Sequence, residues 1–278
     1  MKKLFKWPGG KKQETKRIVE LLPQTIDTVV EPFAGSAAIA FHLEKKSVIN
    51  DLDKDISNFY EAIADPSDYS KIDSLIRNAY SNIPFARKDD PNRANLHSLE
   101  DEFYKQRDIL NNKDYSKRAE AAYAFFIIRQ LCFSGMLRVN EKTKNFNVPY
   151  GWYKKFTNNL TQKHHDFLKN KTVITCEDYK KCIRANDKKD NFIFIDPPYR
   201  NRAGYPVEEW NDRHHVELFH EVANIKHANW MIVHCEDVLY ESLYQKFNIK
   251  SNKFNYNIAF KDRNKVQRKV NHLYITNY

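Results

Sequence analysis

The segment between Thr28 and Asp51 constrains this chain more than any other. Thr28-Val29-Val30 reads as a short buried strand, Glu31-Pro32-Phe33-Ala34-Gly35 as a turn, and the alanine-rich run from Ser36 to about Lys45 as a helix. Ser47-Val48-Ile49-Asn50 follows as a second strand that ends at Asp51. Strand, glycine turn, helix, strand and acid form the opening unit of a parallel sheet that binds a nucleoside or dinucleotide. Gly35 permits close backbone approach, the first turn of the helix offers unpaired amides, and Asp51 can accept from ribose hydroxyls. Without the acid, the same pattern would be an ordinary strand-to-helix connection.

Strand signals then vanish and return. From about Asp53 to Leu131 the chain is helical, tyrosine-rich and strongly charged, with Pro84 and the polar stretch Lys88 to Asn95 marking a loop. Apolar runs reappear at Thr172-Val173-Ile174-Thr175, Phe192-Ile193-Phe194-Ile195 and Trp230-Met231-Ile232-Val233. The predicted class is α/β: one sheet from residues 1–54 and 171–278, interrupted over 55–170 by a mainly helical insertion that carries a β-hairpin. A run from Lys11 to Leu22, stopped by Pro23, predicts a first helix. At the other end, Tyr256-Asn257-Ile258-Ala259-Phe260 and Leu273-Tyr274-Ile275 predict an antiparallel hairpin at the sheet edge, around the basic loop Lys261 to Lys269.

Composition narrows the partners. Lysine and arginine number 46 against 36 aspartate and glutamate, a formal charge of +10, which favours a polyanion. The four cysteines, Cys132, Cys176, Cys182 and Cys235, lack the paired spacing of a zinc site, so reduced, mostly buried thiols are predicted. His164-His165 and His214-His215 have no partners at metal spacing and read as solvated helix faces; no metal is expected. The basic start has no apolar run behind it, and no stretch approaches the ~20 apolar residues that cross a bilayer. These features predict a soluble, cytosolic protein with no membrane partner.

The most informative residues are Asp196-Pro197-Pro198-Tyr199, directly after the apolar strand Phe192 to Ile195. Open α/β sheets place their chemistry at that end of a strand. An exocyclic aromatic amine is a poor nucleophile because its lone pair is delocalised into the ring. The Asp196 carboxylate and the Pro197 carbonyl can accept its two hydrogens and turn the lone pair outward. Two prolines hold both acceptors in place beforehand, and Tyr199 offers a flat face for an extruded base. Taken alone, the tetrapeptide reads equally well as a stiff turn.

Two further segments change those odds. Lys6-Trp7-Pro8-Gly9-Gly10-Lys11 brackets a glycine pair with lysines and an aromatic, so its amides and Lys11 can hold a carboxylate while Trp7 packs beside a ligand. Phe133 to Lys154 reads as a hairpin with a polar, basic tip from Glu141 to Asn145. Its Arg138 can contact guanine in a bidentate manner, and an aromatic such as Phe133 can fill the gap left by a flipped base. Taken singly, Phe133 and Tyr150 read more readily as aromatics packed on the insertion's own helices.

In this order, the glycine-lysine segment, the Glu-Pro-Phe-x-Gly turn, the insertion and Asp-Pro-Pro-Tyr resemble the DNA adenine methylase (Dam, alpha-group) family over nearly the whole chain. The resemblance implies a Rossmann-like sheet, S-adenosyl-L-methionine as cofactor, and methyl transfer to N6 of adenine in double-stranded DNA. It implies that Trp7, Gly10, Lys11, Glu31, Phe33, Ala34, Gly35 and Asp51 line the cofactor pocket together with Asp196. Asp178 and Tyr179 match the pair that holds the cofactor's adenine, although Asp178 also reads as a helix cap. In the hairpin, which resembles readers of GATC and related sites, Arg138 would read guanine and Phe133 would intercalate. Met136, Asn140, Pro149 and Tyr153 complete the implied DNA contacts.

The chain departs from its relatives at two positions. Many carry a second glycine where Ala37 stands, and a methyl group there is expected to tighten or shift the pocket. Many carry arginine at Trp152. The absence of a Pro-Cys motif counts against carbon methylation of cytosine, which needs a thiol nucleophile. Transfer to the N4 amine of cytosine, or an inactive sequence-specific DNA-binding regulator, remain the alternatives. The expected state is a monomer or weak dimer.

Overall fold

A computed structural model describes residues 1–9, 11, 14–81, 97–153, 156, 158–200, 210–257 and 267–278. Gly10, the loop from Lys88 to Asn95, and residues 261–266 of the basic C-terminal loop lie outside the described residues.

The first half of the sheet forms as α1 (Thr15–Glu20), β1 (Thr28–Glu31), α2 (Ala38–Leu43) and β2 (Lys46–Asn50). The chain then leaves the sheet through four helices, α3 (Lys54–Ala64), α4 (Pro66–Ser81), α5 (His97–Asn112) and α6 (Arg118–Leu131), followed by a single 3-10 turn at Phe133–Gly135. It returns through α7 (Gln162–Lys171) and β3 (Thr172–Thr175), then α8 (Tyr179–Asn186) and β4 (Asn191–Ile195). The last elements are α9 (Asp212–Ala223), β5 (Asn229–Cys235), α10 (Val238–Leu243), β6 (Asn248–Asn257) and β7 (Gln267–Thr276).

The seven strands lie in the order β3-β2-β1-β4-β5-β7-β6. The pairs from β3 to β5 are parallel; β7 runs antiparallel to both β5 and β6. The chain runs outward from β1 through β2 to β3 and restarts at β4 on the other side of β1. The order therefore reverses between β1 and β4, and a crevice opens at their carboxyl ends.

Alternation along the strands builds two cores. Ile193, Ile195 and Ile232 pack toward α8, α9 and α10 with Leu218, Val222 and Tyr240. Phe192, Phe194, Met231 and Val233 face the other way and pack with Ile18 and Ile39 of α1 and α2. All five residues of β4 are buried, as a strand covered on both faces requires. A third core surrounds α6, which is buried continuously from Ala121 to Leu131, packs against α3, α4 and α5, and joins the same apolar cluster as Phe5, Phe41 and Ile49 of the sheet part. A helix apolar on every side needs such surroundings.

Several sequence expectations need correction. The first helix is shorter than Lys11 to Leu22. The C-terminal ladder begins at Asn248, not Tyr256, and of its two strands β7 lies inside the sheet while β6 stands at the edge opposite β3. Three of the four paired histidines are not solvated: His164, His165 and His215 are 3%, 5% and 0% exposed, whereas His214 stays partly exposed. Each of these three has a ring nitrogen in a hydrogen bond, His164 with the Lys2 carbonyl, His165 with the Ile63 carbonyl and His215 with the Tyr240 hydroxyl. Cys132 and Cys182 are buried thiols, but Cys176 is exposed.

Candidate active site

A cleft of about 270 Å³ opens at the carboxyl ends of β1, β2 and β4. It is lined by Trp7, Lys11, Glu31, Phe33, Ala34, Gly35, Asp51, Asp178, Tyr179 and Asp196. Those residues come from five separate segments, and the switch in strand order is what brings them together.

The glycine turn forms one wall. Gly35 has φ +47°, a left-handed conformation that glycine adopts without strain, and a Cβ there would stand 2.6 Å from Nε1 of Trp7. The Gly35 amide donates to Asp51 Oδ2 at 2.8 Å, and its carbonyl accepts from the buried Tyr60 hydroxyl at 2.9 Å. Asp51 Oδ1 accepts from the Asp53 amide, and Asp53 caps α3. One carboxylate thus fixes both the glycine turn and the way the chain enters the insertion. Burial pushes the Asp51 carboxyl up to about 6.

Glu31 is 2% exposed at the end of β1, and its Oε1 accepts from the Ala40 amide at 2.7 Å. That bond serves the first turn of α2, whose N-cap residue Ala37 offers no side-chain acceptor. Burial, opposed by this bond and reinforced by the charge of Asp196, pushes the Glu31 carboxyl up to about 8. Ala37 itself adopts φ +46°, and its methyl is wholly buried among Ala34, Ala40 and Phe41. It packs in the core and is not among the residues that line the cleft.

An aromatic wall closes the opposite side. Phe33 and Tyr179 stack with centroids 5.0 Å apart, and Trp210 stands edge-on to both at 5.5 and 5.6 Å. Asp178 accepts from the Lys180 amide as the N-cap of α8 while lining the cleft, so capping and cleft roles coexist.

At the floor, Lys11 Nζ lies 2.6 Å from Asp196 Oδ1 and 4.9 Å from the Tyr199 ring centroid. Burial raises the Asp196 carboxyl above its usual range, and Lys11 pulls it back down. Pro198 lines the cleft; Pro197 and Tyr199 are buried directly behind it. The Tyr199 ring packs on His234 and edge-on to His272, centroids 4.8 and 5.5 Å away. Beneath them, Glu14 accepts from His272 Nδ1 and from the Tyr274 hydroxyl. Among the described residues no group of three or more histidines, cysteines or carboxylates is placed to hold a metal ion, and no helix is long and apolar enough to cross a membrane.

The segment after α6 folds back over isolated bridges, Cys132 to Tyr150 and Val139 to Phe146, in place of a regular ladder. Phe133 is 42% exposed, whereas Tyr150 is 2% exposed and packs against Phe103. The packed-aromatic reading holds for Tyr150 and fails for Phe133. Arg138 is exposed, its guanidinium held by the Asn147 side chain and carbonyl. Asn140 caps the tip turn, Pro149 is exposed, and Met136 is partly buried. The Tyr153 hydroxyl donates to the Cys132 carbonyl, with Lys6 Nζ 3.4 Å above its ring centroid.

A family model described as D12 class N6 adenine-specific DNA methyltransferase matches residues 7–258, which spans both the cleft and the insertion. The chain belongs to this family. It is similar, at 28% identity, to the type II methyltransferase M.CviBI of Paramecium bursaria Chlorella virus NC1A, with 87% of this chain and 86% of the relative covered. The type II methyltransferase M.MjaIII of Methanocaldococcus jannaschii is 29% identical over 90% of each chain. The DNA adenine methylase of Haemophilus influenzae is 27% identical over 74% of this chain and 68% of its own length. The chain is thus an adenine-specific DNA methyltransferase, and the family implies S-adenosylmethionine as methyl donor.

Sequence reasoning missed Trp210, which lines this methyltransferase cleft, and Asn50, which braces it from behind. Trp210 follows Asp-Pro-Pro-Tyr at a distance and belongs to no local motif. Asn50 donates to the carbonyls of Pro32 and Glu177 and accepts from Thr175 and the Glu177 amide. It thereby ties the ends of three strands together. A polar residue at the buried end of a strand was the available signal.

Proposed function

We propose that the cleft binds S-adenosyl-L-methionine and that Asp196, with the Pro197 carbonyl, orients the N6 amine of an extruded adenine for direct transfer. The observation that carries this reading is Asp196 on the cleft floor, within reach of the same cavity as Gly35, Asp51 and the aromatic wall. The donor set suits the ligand. Asp51 presents a carboxylate to ribose hydroxyls, and Phe33, Tyr179 and Trp210 offer faces and edges to a purine. Trp7, Ala34, Lys11 and Asp178 complete this lining.

When bound, the donor supplies an electrophilic methyl group on a sulfonium. The chain's own residues supply position and dryness. Asp196 accepts one amine hydrogen and stabilises the charge that develops on nitrogen; it then takes the proton released on transfer. Tyr199 stacks against the base once Lys11 and its surroundings admit it. The insertion, residues 55–170, acts as the target-recognition part, and residues 1–54 and 171–278 as the catalytic part. Phe133 fills the gap in duplex DNA, Arg138 reads a guanine, and Met136, Asn140, Pro149 and Tyr153 contact the site, with GATC the leading target sequence.

The test is a comparison of Asp196→Ala with the natural chain. Transfer of a labelled methyl group to duplex DNA disappears while duplex affinity stays within about threefold; a variant that still methylates overturns the mechanism.

A further inference from the structure

Arg129, near the end of α6, is 1% exposed, yet among the described residues no carboxylate hydrogen-bonds to it. Its guanidinium is satisfied by backbone carbonyls alone. Nε and one terminal nitrogen donate to the Lys6 carbonyl at 3.1 and 3.0 Å. The same terminal nitrogen donates to the Gly135 carbonyl at 2.6 Å, and the other donates to the Met136 carbonyl at 2.9 Å. The group also lies 5.3 Å over the Trp7 ring. Burying a guanidinium with no carboxylate in hydrogen-bond contact is costly, so the bonds it makes must compensate.

Those bonds join two sites. Lys6 precedes Trp7, which packs on Gly35 and forms a wall of the cleft. Gly135 closes the 3-10 turn that presents exposed Phe133, and Met136 follows it. A second stitch runs alongside, with Lys6 Nζ donating to the Gln130 carbonyl at 2.6 Å and the Gln130 side chain donating to the Leu4 carbonyl at 2.8 Å. A ligand that fixes Trp7 fixes the Lys6 carbonyl, and Arg129 transmits that ordering to the carbonyls of the turn.

We propose that Arg129 is a positioning residue that couples occupancy of the cleft to the geometry of the turn carrying Phe133. The proposal rests on the assignments of cleft and turn made above. Coupling of this kind is reciprocal: the duplex must tighten cofactor binding by the same factor as the cofactor tightens duplex binding. Lysine keeps the charge but not the planar fork that reaches carbonyls on two segments, so a purely electrostatic role survives Arg129→Lys and a bracing role does not.

Calorimetric titration of S-adenosylhomocysteine, alone and with a saturating short duplex that contains the methylated sequence, tests this. In the natural chain the duplex tightens binding at least about fivefold, and in Arg129→Lys the ratio falls to about one. A merely structural role shifts both dissociation constants and leaves their ratio intact. An unchanged ratio in the variant, or a ratio of one in the natural chain, overturns the proposal. Hydrogen exchange on the natural chain needs no variant to fold: S-adenosylhomocysteine alone slows exchange of the Gly135 and Met136 amides, and indifference there also overturns it. The underlying assignments fail in a different way, through absence of S-adenosylhomocysteine binding or a Phe133→Ala duplex affinity equal to that of the natural chain.

Discussion

The Lys11 ammonium lies 2.6 Å from Asp196 Oδ1 and is only 2% exposed, so the acceptor at the cleft floor sits beside a buried cation. Burial raises the Asp196 carboxyl and Lys11 opposes it. Removing that cation with Lys11→Met leaves Asp196 protonated to higher pH, and a protonated acid cannot accept the amine hydrogen. The acid limb of the turnover profile moves upward, and turnover at neutral pH falls. A variant with an unmoved acid limb contradicts this role.

Glu31 gives the ligand-free chain a pH dependence of stability. Its carboxyl is raised to about 8, above the ordinary carboxylate range of the unfolded chain, chiefly by burial. The folded state therefore keeps a proton that the unfolded state has released, and stability falls as pH rises through that window. Between pH 6 and 8 the loss is about 2 kcal/mol, readable as a lower urea midpoint. In Glu31→Gln, which mimics the protonated form at Ala40, the contribution vanishes and the curve flattens.

Gly35→Ala places a methyl 2.6 and 2.7 Å from Nε1 and Cδ1 of Trp7, at φ +47°. Strain and overlap together cost about 1–3 kcal/mol of stability. Because the indole forms a cleft wall, S-adenosylhomocysteine affinity falls at least about tenfold. Unaltered affinity in a folded variant would place the ligand elsewhere.

Phe133 and Tyr150 separate recognition from packing. Phe133→Ala changes stability by no more than about 0.5 kcal/mol, as an exposed side chain allows, but lowers methylation of an intact duplex. The loss is smaller on a duplex with an abasic position opposite the target adenine, where no base pair has to be broken to extrude it. Tyr150→Ala costs about 3 kcal/mol through the cavity it leaves. Equal losses on both duplexes for Phe133→Ala would remove its wedge role.

Much of the sheet was legible because its signals are local. β1, β2, β3 and β4 are apolar runs bounded by polar turns, and the structure finds them within a residue or two of the reading. β6 escaped because Asn248 to Asn257 alternates polar residues along an edge strand, so the apolar cue pointed later, to Tyr256 and beyond. The buried histidines escaped because their partners, the Lys2 and Ile63 carbonyls and the Tyr240 hydroxyl, come from distant parts of the chain. Motif residues of the cleft were found together; Trp210, Asn50 and Arg129 were not, since each acts through tertiary contacts that leave no spacing in the sequence.

Single-molecule sequencing of DNA from cells that express the natural chain or Asp196→Ala tests the central claim most directly. The account predicts N6-methyladenine within one short recurrent sequence for the natural chain and none for the variant. Methyl groups on cytosine, or N6-methyladenine that persists in Asp196→Ala, would contradict it.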